Sequence, residues 1–232
     1  MTITDPNPTT ATALEPVAVD LYRDIHKGIR AELFAATESA GRLDPVDRAG
    51  RADLAHRVDD IVELLVSHAH HEDEHIQPAL EQHLPARAEQ IAADHERIDG
   101  RLEVLVELAR TTDGDPRLRV HQLYLELASF TAAYLEHQDL EERIVMPALE
   151  GAVGIDACLA MNQAVVGSIP PEEMARSLAL MLPAMNIDDR SELLGGMQAG
   201  APAEVFEQVW GLTRSVLTAE DVAGLAHRLG RS

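Results

Sequence analysis

Apolar and polar positions alternate with a helical period along most of the chain. Val17, Leu21, Ile25, Ile29 and Leu33 recur at steps of four, which predicts a helix from about Pro16 to Thr37. Gly41 and Asp44-Pro45 mark a turn after it. A second long helix is expected from about Val46 to Leu80, with Pro78 closing or bending it. Pro85 suits the first turn of a third helix over roughly 86–110, with Ile91, Ile98, Leu102 and Leu105 inward. Thr111 to Pro116 is turn-like by composition. A fourth helix is expected over about 117–149, through Leu123, Leu127 and Phe130, with Pro147 near its end. Four amphipathic helices with short connections read as an all-α, up-down-up-down four-helix bundle.

After Gly151 the pattern shortens. Helices are expected near 155–167, 171–183, 188–198, 202–213 and 218–229, punctuated by Pro170-Pro171, Pro183, Gly195-Gly196, Gly200 and Pro202. The expected organisation is therefore a mobile tail over 1–15, a bundle over 16–150, and a C-terminal helical extension over 151–232. The extension is expected to pack on the bundle or to mediate self-association as a homo-oligomer. Only one of the eleven histidines, His227, lies in it.

The polar positions inside the second and fourth helices repeat. Residues 68–81 read HAHHEDEHIQPALE and residues 137–150 read HQDLEERIVMPALE. His68 aligns with His137, Glu72 with Glu141 and Pro78 with Pro147, at an offset of 69 residues. The same offset carries His26 onto His95. The unit of a histidine, then His-x-x-x-Glu, thus occurs twice, as expected of a duplicated helical hairpin. Residues four apart share a helix face, so His68 and Glu72 can both point inward, as can His137 and Glu141. His26, His68, Glu72, His95, His137 and Glu141 are the candidate metal ligands. Four imidazoles and two carboxylates suit two borderline transition ions bridged by the glutamates. Iron fits this mixed nitrogen and oxygen ligation, with manganese or zinc as lesser alternatives.

Composition narrows the partners. The chain carries 19 basic and 40 acidic residues, a formal charge of −21. Such a surface repels nucleic acid and anionic membrane, so neither is expected as a partner. The single cysteine, Cys158, excludes an intramolecular disulfide and a thiolate metal cluster, and fits a reducing, cytoplasmic setting. No signal peptide is visible in the N-terminal residues, and no run of 18 apolar residues occurs.

The ligand pattern resembles the hemerythrin-like, or His-His-Glu cation-binding, domains over about residues 20–150. The resemblance implies that the six residues are the ligands of a carboxylate-bridged, non-haem di-iron site. Dioxygen-carrying hemerythrins place His-x-x-x-His on the third helix and an aspartate on the fourth. Here Ile91 and Asp99 flank His95 at four residues, and Glu141 takes the late carboxylate position. This matches instead the bacterial, largely actinobacterial, hemerythrin-like group. The implied function is reaction with O2, H2O2 or NO, catalase-like or in redox and gas sensing. Two other readings are a di-iron oxygenase acting on an organic substrate and a non-catalytic metal-binding stress protein.

Several neighbours are accessory candidates. His71-Glu72-x-x-His75 also matches the zinc protease signature, but Leu140 and Ile144 occupy the equivalent positions of the second half. His71 and His75 remain accessories to the site, facing the same side of the helix as His68 and Glu72. Tyr22 and Tyr134 could bring hydroxyls near the metals. Asp73, Glu74, Asp94, Asp139 and Glu142 could orient ligands.

Overall fold

The computed structural model describes residues 14–231. Most of the expected tail, residues 1–13, lies outside them, and Leu14 and Glu15 belong to no regular element. Among the described residues the chain is helical without strands. The bundle helices are α1 (Arg23–Arg42), α2 (Arg48–His75), α4 (Pro85–Arg110) and α5 (Pro116–Leu140). Two short helices, α3 (Gln77–His83) and α6 (Met146–Val153), follow α2 and α5. A π-helical turn over Glu141–Val145 joins α5 to α6.

The first helix starts later than its apolar stripe suggests. The Asp20 carboxylate accepts from the backbone N–H groups of Tyr22 and Arg23 and so sets the start of α1. Ahead of it, the N–H groups of Ala18 and Val19 donate to the Glu150 carboxylate. Val17, Val19 and Leu21 pack on the bundle end from this non-helical segment. Asp47 caps α2 and Asp115 caps α5, both at the expected turns.

The two repeated prolines act differently. Each is the second residue of a short helix, and each lacks the N–H that a continuous helix would need. In the first half the chain breaks at Ile76. In the second half it stays helical by widening one turn, with the Met146 N–H bonding back to the Glu141 carbonyl. The single long helices expected over 46–80 and 117–149 are thus each divided near the repeated glutamate, just after Glu72 in the first half and at Glu141 in the second. α3 and α6 pack on each other across this end.

α1 lies between α2 and α5, and α4 closes the ring against both. Two apolar layers fill it. One contains Ile29, Leu33, Leu65, Ile98, Leu127, Phe130 and Tyr134. The other contains Tyr22, Ile76, Leu80, Ile91, Val145, Met146, Leu149 and Cys158. His26 stands between Tyr22 and Ile29, and His95 between Ile91 and Ile98. His68 and Glu72 stand between Leu65 and Ile76, and His137 and Glu141 between Tyr134 and Val145. The order of the layers reverses from each bundle helix to the next, so the helices run up-down-up-down. A polar stratum lies between two apolar ones.

The extension forms five helices: α7 (Ile155–Ser168), α8 (Pro171–Ala184), α9 (Ile187–Gly200), α10 (Ala203–Val216) and α11 (Ala219–Arg228). They enclose a third apolar cluster around Leu182, Leu194, Phe206, Trp210 and Leu225, against which Ile25 of α1 packs. α8 crosses α1 closely at Gly28, where an added Cβ would stand 2.9 Å from Leu180 Cγ. α7 rests on α2 and places Cys158 in the second apolar layer.

Candidate metal centre

All six repeated residues meet in the polar stratum. The Nε2 atoms of His26 and His68 approach to 3.2 Å. The rings of His95 and His137 lie 5.1 Å apart, edge to face. Each glutamate spans the two histidine pairs. Glu72 Oε1 is 3.1 Å from His68 Nε2, and its Oε2 is 3.3 Å from His95 Nε2. Glu141 Oε2 is 3.5 Å from His26 Nε2, and its Oε1 is 3.3 Å from His137 Nε2. Two groups of converging donor atoms result, one from His26, His68 and Glu72, the other from Glu72, His95, His137 and Glu141. Either could hold a metal ion, and Glu72 belongs to both.

The centre is almost closed to solvent. His26 is 0% and Glu141 1% exposed. None of the four carboxylate oxygens of Glu72 and Glu141 has a hydrogen-bond partner, and neither does His95 Nε2. Burying two carboxylates without donors is costly unless cations neutralise them. The residues present therefore fit a pair of cations, and the donor set of imidazole nitrogen and carboxylate oxygen fits iron.

Carboxylates behind the histidines orient them. Glu142 Oε1 is 2.9 Å from His26 Nδ1 and Asp73 Oδ1 is 2.9 Å from His95 Nδ1. Asp94 Oδ2 lies 3.6 Å from His137 Nδ1. An Nδ1–H directed at a carboxylate leaves the Nε2 lone pair free to face the centre. Arg30 Nη1 donates to Glu142 at 2.7 Å and holds it in place. Glu74 and Asp139 do not join the centre; Glu74 lies near His70 and His75, and Asp139 pairs with Arg143.

The electrostatics are unequal across the repeat. Burial lowers His68 and His137 to about 4. Burial pushes Glu72 upward, but the imidazoles of His68, His95 and His26 outweigh it and bring the carboxyl to about 2. Burial likewise opposes protonation of His95, yet Glu72 and Asp73 raise it to about 9. Burial and the nearby Glu72 raise Glu141 well above the usual carboxylate range. Without metal, these shifts favour an ion pair between Glu72 and His95 and a neutral His137 at neutral pH, and they bias Glu141 toward its protonated form. Against the upward push of burial, hydrogen bonds from His26 and Arg30 hold Glu142 below its ordinary value.

Tyr22 and Tyr134 flank the centre from the two apolar layers. Their rings lie 5.3 Å from His26 and 5.7 Å from His137. Burial first, then the carboxylates, raises both phenols well above 10, so both hydroxyls keep their protons. His71 and His75 stack on each other outside the two converging groups. His71 turns to the extension: Glu173 Oε1 is 3.2 Å from its Nε2 and Ser168 Oγ is 3.1 Å from its Nδ1. Ser67 donates to the same Glu173 oxygen. No sequence pattern pointed to Arg30, Ser67, Ser168 or Glu173, because each acts across elements far apart in the chain. Gln138, fully buried beside His137, was also missed.

A family model described as the hemerythrin HHE cation-binding domain matches residues 17–149. No curated protein and no solved structure matches the chain.

Proposed function

The chain belongs to the hemerythrin HHE cation-binding domain family, and on that premise we propose that it is a carboxylate-bridged non-haem di-iron protein. Its reactants are dioxygen, peroxide or nitric oxide, in catalase-like turnover or in redox or gas sensing. One observation carries the reading: four buried, unpartnered carboxylate oxygens each face a different imidazole. In this reading His26 and His68 would hold one iron and His95 and His137 the other, with Glu72 and Glu141 as the carboxylates available to both. Bound iron supplies the change between ferrous and ferric states on which chemistry with these small molecules depends.

The chain's own groups supply the rest. Glu142 and Asp73 fix His26 and His95 with Nε2 inward, and Asp94 faces Nδ1 of His137 without bonding to it. The apolar layers on either side exclude water and strengthen every charge interaction inside. Tyr22 and Tyr134 hold protons on their hydroxyls at the edges of the centre.

The test is elemental analysis of protein expressed with iron, together with its visible spectrum before and after peroxide. Near two irons per chain, with a charge-transfer band that changes on adding peroxide, is the expected result. One zinc per chain and a featureless spectrum would overturn the reading and restore that of His71, Glu72 and His75 as a zinc site. An organic oxygenase would instead need both a reductant and an organic substrate for turnover. A non-catalytic metal-binding protein would bind metal without any redox response.

A further inference from the structure

The extension grips the bundle beside one of the two converging donor groups and not beside the other. His26, His68 and Glu72 form one group, and all three stand on α1 and α2. Their neighbours in sequence face the extension. Ser67, which precedes His68, donates to Oε1 of Glu173 on α8, and Nε2 of His71, which precedes Glu72, lies 3.2 Å from the same oxygen. Lys27, which follows His26, pairs with Asp189 on α9, and Arg23 Nε lies 3.7 Å from that carboxylate. Ser67 and His71 are four residues apart, as are Arg23 and Lys27. Each extension carboxylate therefore holds one turn of a bundle helix at two points on one face. Glu173 holds the turn that carries His68 and Glu72, and Asp189 holds the turn that carries His26.

The histidines of the second group, His95 and His137, stand on α4 and α5. Among the described residues, every hydrogen bond and ion pair between bundle and extension starts from α1 or α2. Asp94 beside His95 and Glu142 beside Glu141 bond within the bundle instead, to Arg97 and to Arg30. A cation held by His26 from α1 and by His68 and Glu72 from α2 would fix these two helices against each other. The extension fixes the same two helices from outside, through Glu173, Asp189 and the close approach of Leu180 to Gly28. Two constraints on one pair of helices share the entropy of ordering it, so each makes the other easier, and such coupling is reciprocal. We propose that Glu173 is a positioning residue for the metal position of His26, His68 and Glu72. Docking of the extension and filling of that position then strengthen each other, while the position of His95 and His137 depends on the extension far less. Affinity changes, not the number of metals held at saturation. This inference rests on the di-iron reading.

The test is an anaerobic titration of the metal-free full chain with ferrous iron, followed by calorimetry, with hydrogen exchange of the α8 amides measured at each step. Wild type is compared with Glu173→Ala, which removes both bonds to α2, and with Glu173→Gln, which keeps an acceptor oxygen. The Glu173 side chain is 25% exposed, so neither change cuts into an apolar core, and the exchange measurement on wild type needs no variant. Wild type is expected to bind two irons, with α8 exchange slowing as they bind. In Glu173→Ala one of the two affinities is expected to fall by about tenfold or more, while the other stays within about threefold. Glu173→Gln is expected to recover part of the loss. Adding His68→Ala or His137→Ala identifies the position. Glu173→Ala should still weaken the iron bound by the His137→Ala chain, and should leave that of the His68→Ala chain within about threefold. The reverse pattern overturns the inference. So does a loss spread equally over both irons, which is general destabilisation, or unchanged affinity for both, or α8 exchange in wild type that does not respond to iron. Wild-type protein that binds no iron overturns the di-iron reading, and the inference with it.

Discussion

Glu72 and Glu141 occupy equivalent places in the repeat but meet different electrostatic conditions. Each has an oxygen toward both histidine pairs, so removing either side chain should leave fewer than two metals bound. Glu72→Ala and Glu141→Ala are each expected to lower the metal count by at least one per chain, read by elemental analysis of folded protein. Unchanged stoichiometry in either variant would show that its carboxylate does not bridge. The metal-free protein offers a second check. His68 and His137 fall from 6.5 to about 4 on folding, so their stabilising contribution is complete above pH 6.5 and fades as pH falls toward 4. His95 rises from 6.5 to about 9, so its contribution is complete below pH 6.5 and lost as pH climbs through 9. The thermal midpoint of the metal-free chain should therefore peak near pH 6.5 and drop on both sides. A midpoint that keeps rising from pH 7 to 9 would contradict the charged state assigned to His95. The six candidate ligands were legible in the sequence because duplication printed them twice at one offset. The orienting carboxylates were only half legible. Asp94 neighbours His95 in sequence but faces His137 in space, and only the packing of α4 on α5 reveals that.

At the scale of elements, the helical period located the four bundle helices and all five helices of the extension, because Gly and Pro punctuate the latter so densely. It failed at two kinds of place. The stripe Val17, Leu21, Ile25 continues through a segment that is not helical, since an apolar residue packs equally well from an extended chain tied down by Glu150. Pro78 and Pro147 were legible as interruptions, but not as a break in one half and a π-helical turn in the other. A missing N–H at proline admits either outcome, so the local pattern does not choose between them. The crossing of α1 and α8 gives a direct test of close packing. Glycine within a helix normally costs up to about 1 kcal/mol relative to alanine, so replacing it should help unless space forbids. At Gly28 space does forbid, because the new Cβ meets the branch point of Leu180. Gly28→Leu is expected to destabilise by about 1–3 kcal/mol through overpacking, with faster proteolysis of the extension. A thermal midpoint equal to or above that of wild type would show that α8 does not hold this position against α1.

The whole molecule joins a metal-binding bundle to an extension with its own apolar core, and the two are linked at particular groups. Ser67 and His71 of α2 meet Glu173 of α8, and His71 also meets Ser168 of α7. Lys27 and Arg23 of α1 pair with Asp189 of α9, and Arg23 also with Glu192. Ile25 and Cys158 each lend an apolar side chain to the other part. None of these contacts supplies one of the candidate ligands, which all come from α1, α2, α4, α5 and the π-helical turn. A chain ending at Val153 is therefore expected to bind as many metals as the full protein. It should also unfold at a lower temperature, because the α8 face of α1 and the α7 face of α2 lose their cover. The comparison needs metal content and thermal midpoint measured on both chains under the same conditions. Full metal content with a lowered midpoint means that the extension buttresses a self-sufficient centre. Complete loss of metal in a soluble, folded truncation means that the extension, acting through His71 next to Glu72, is needed to hold the bridging carboxylate in place.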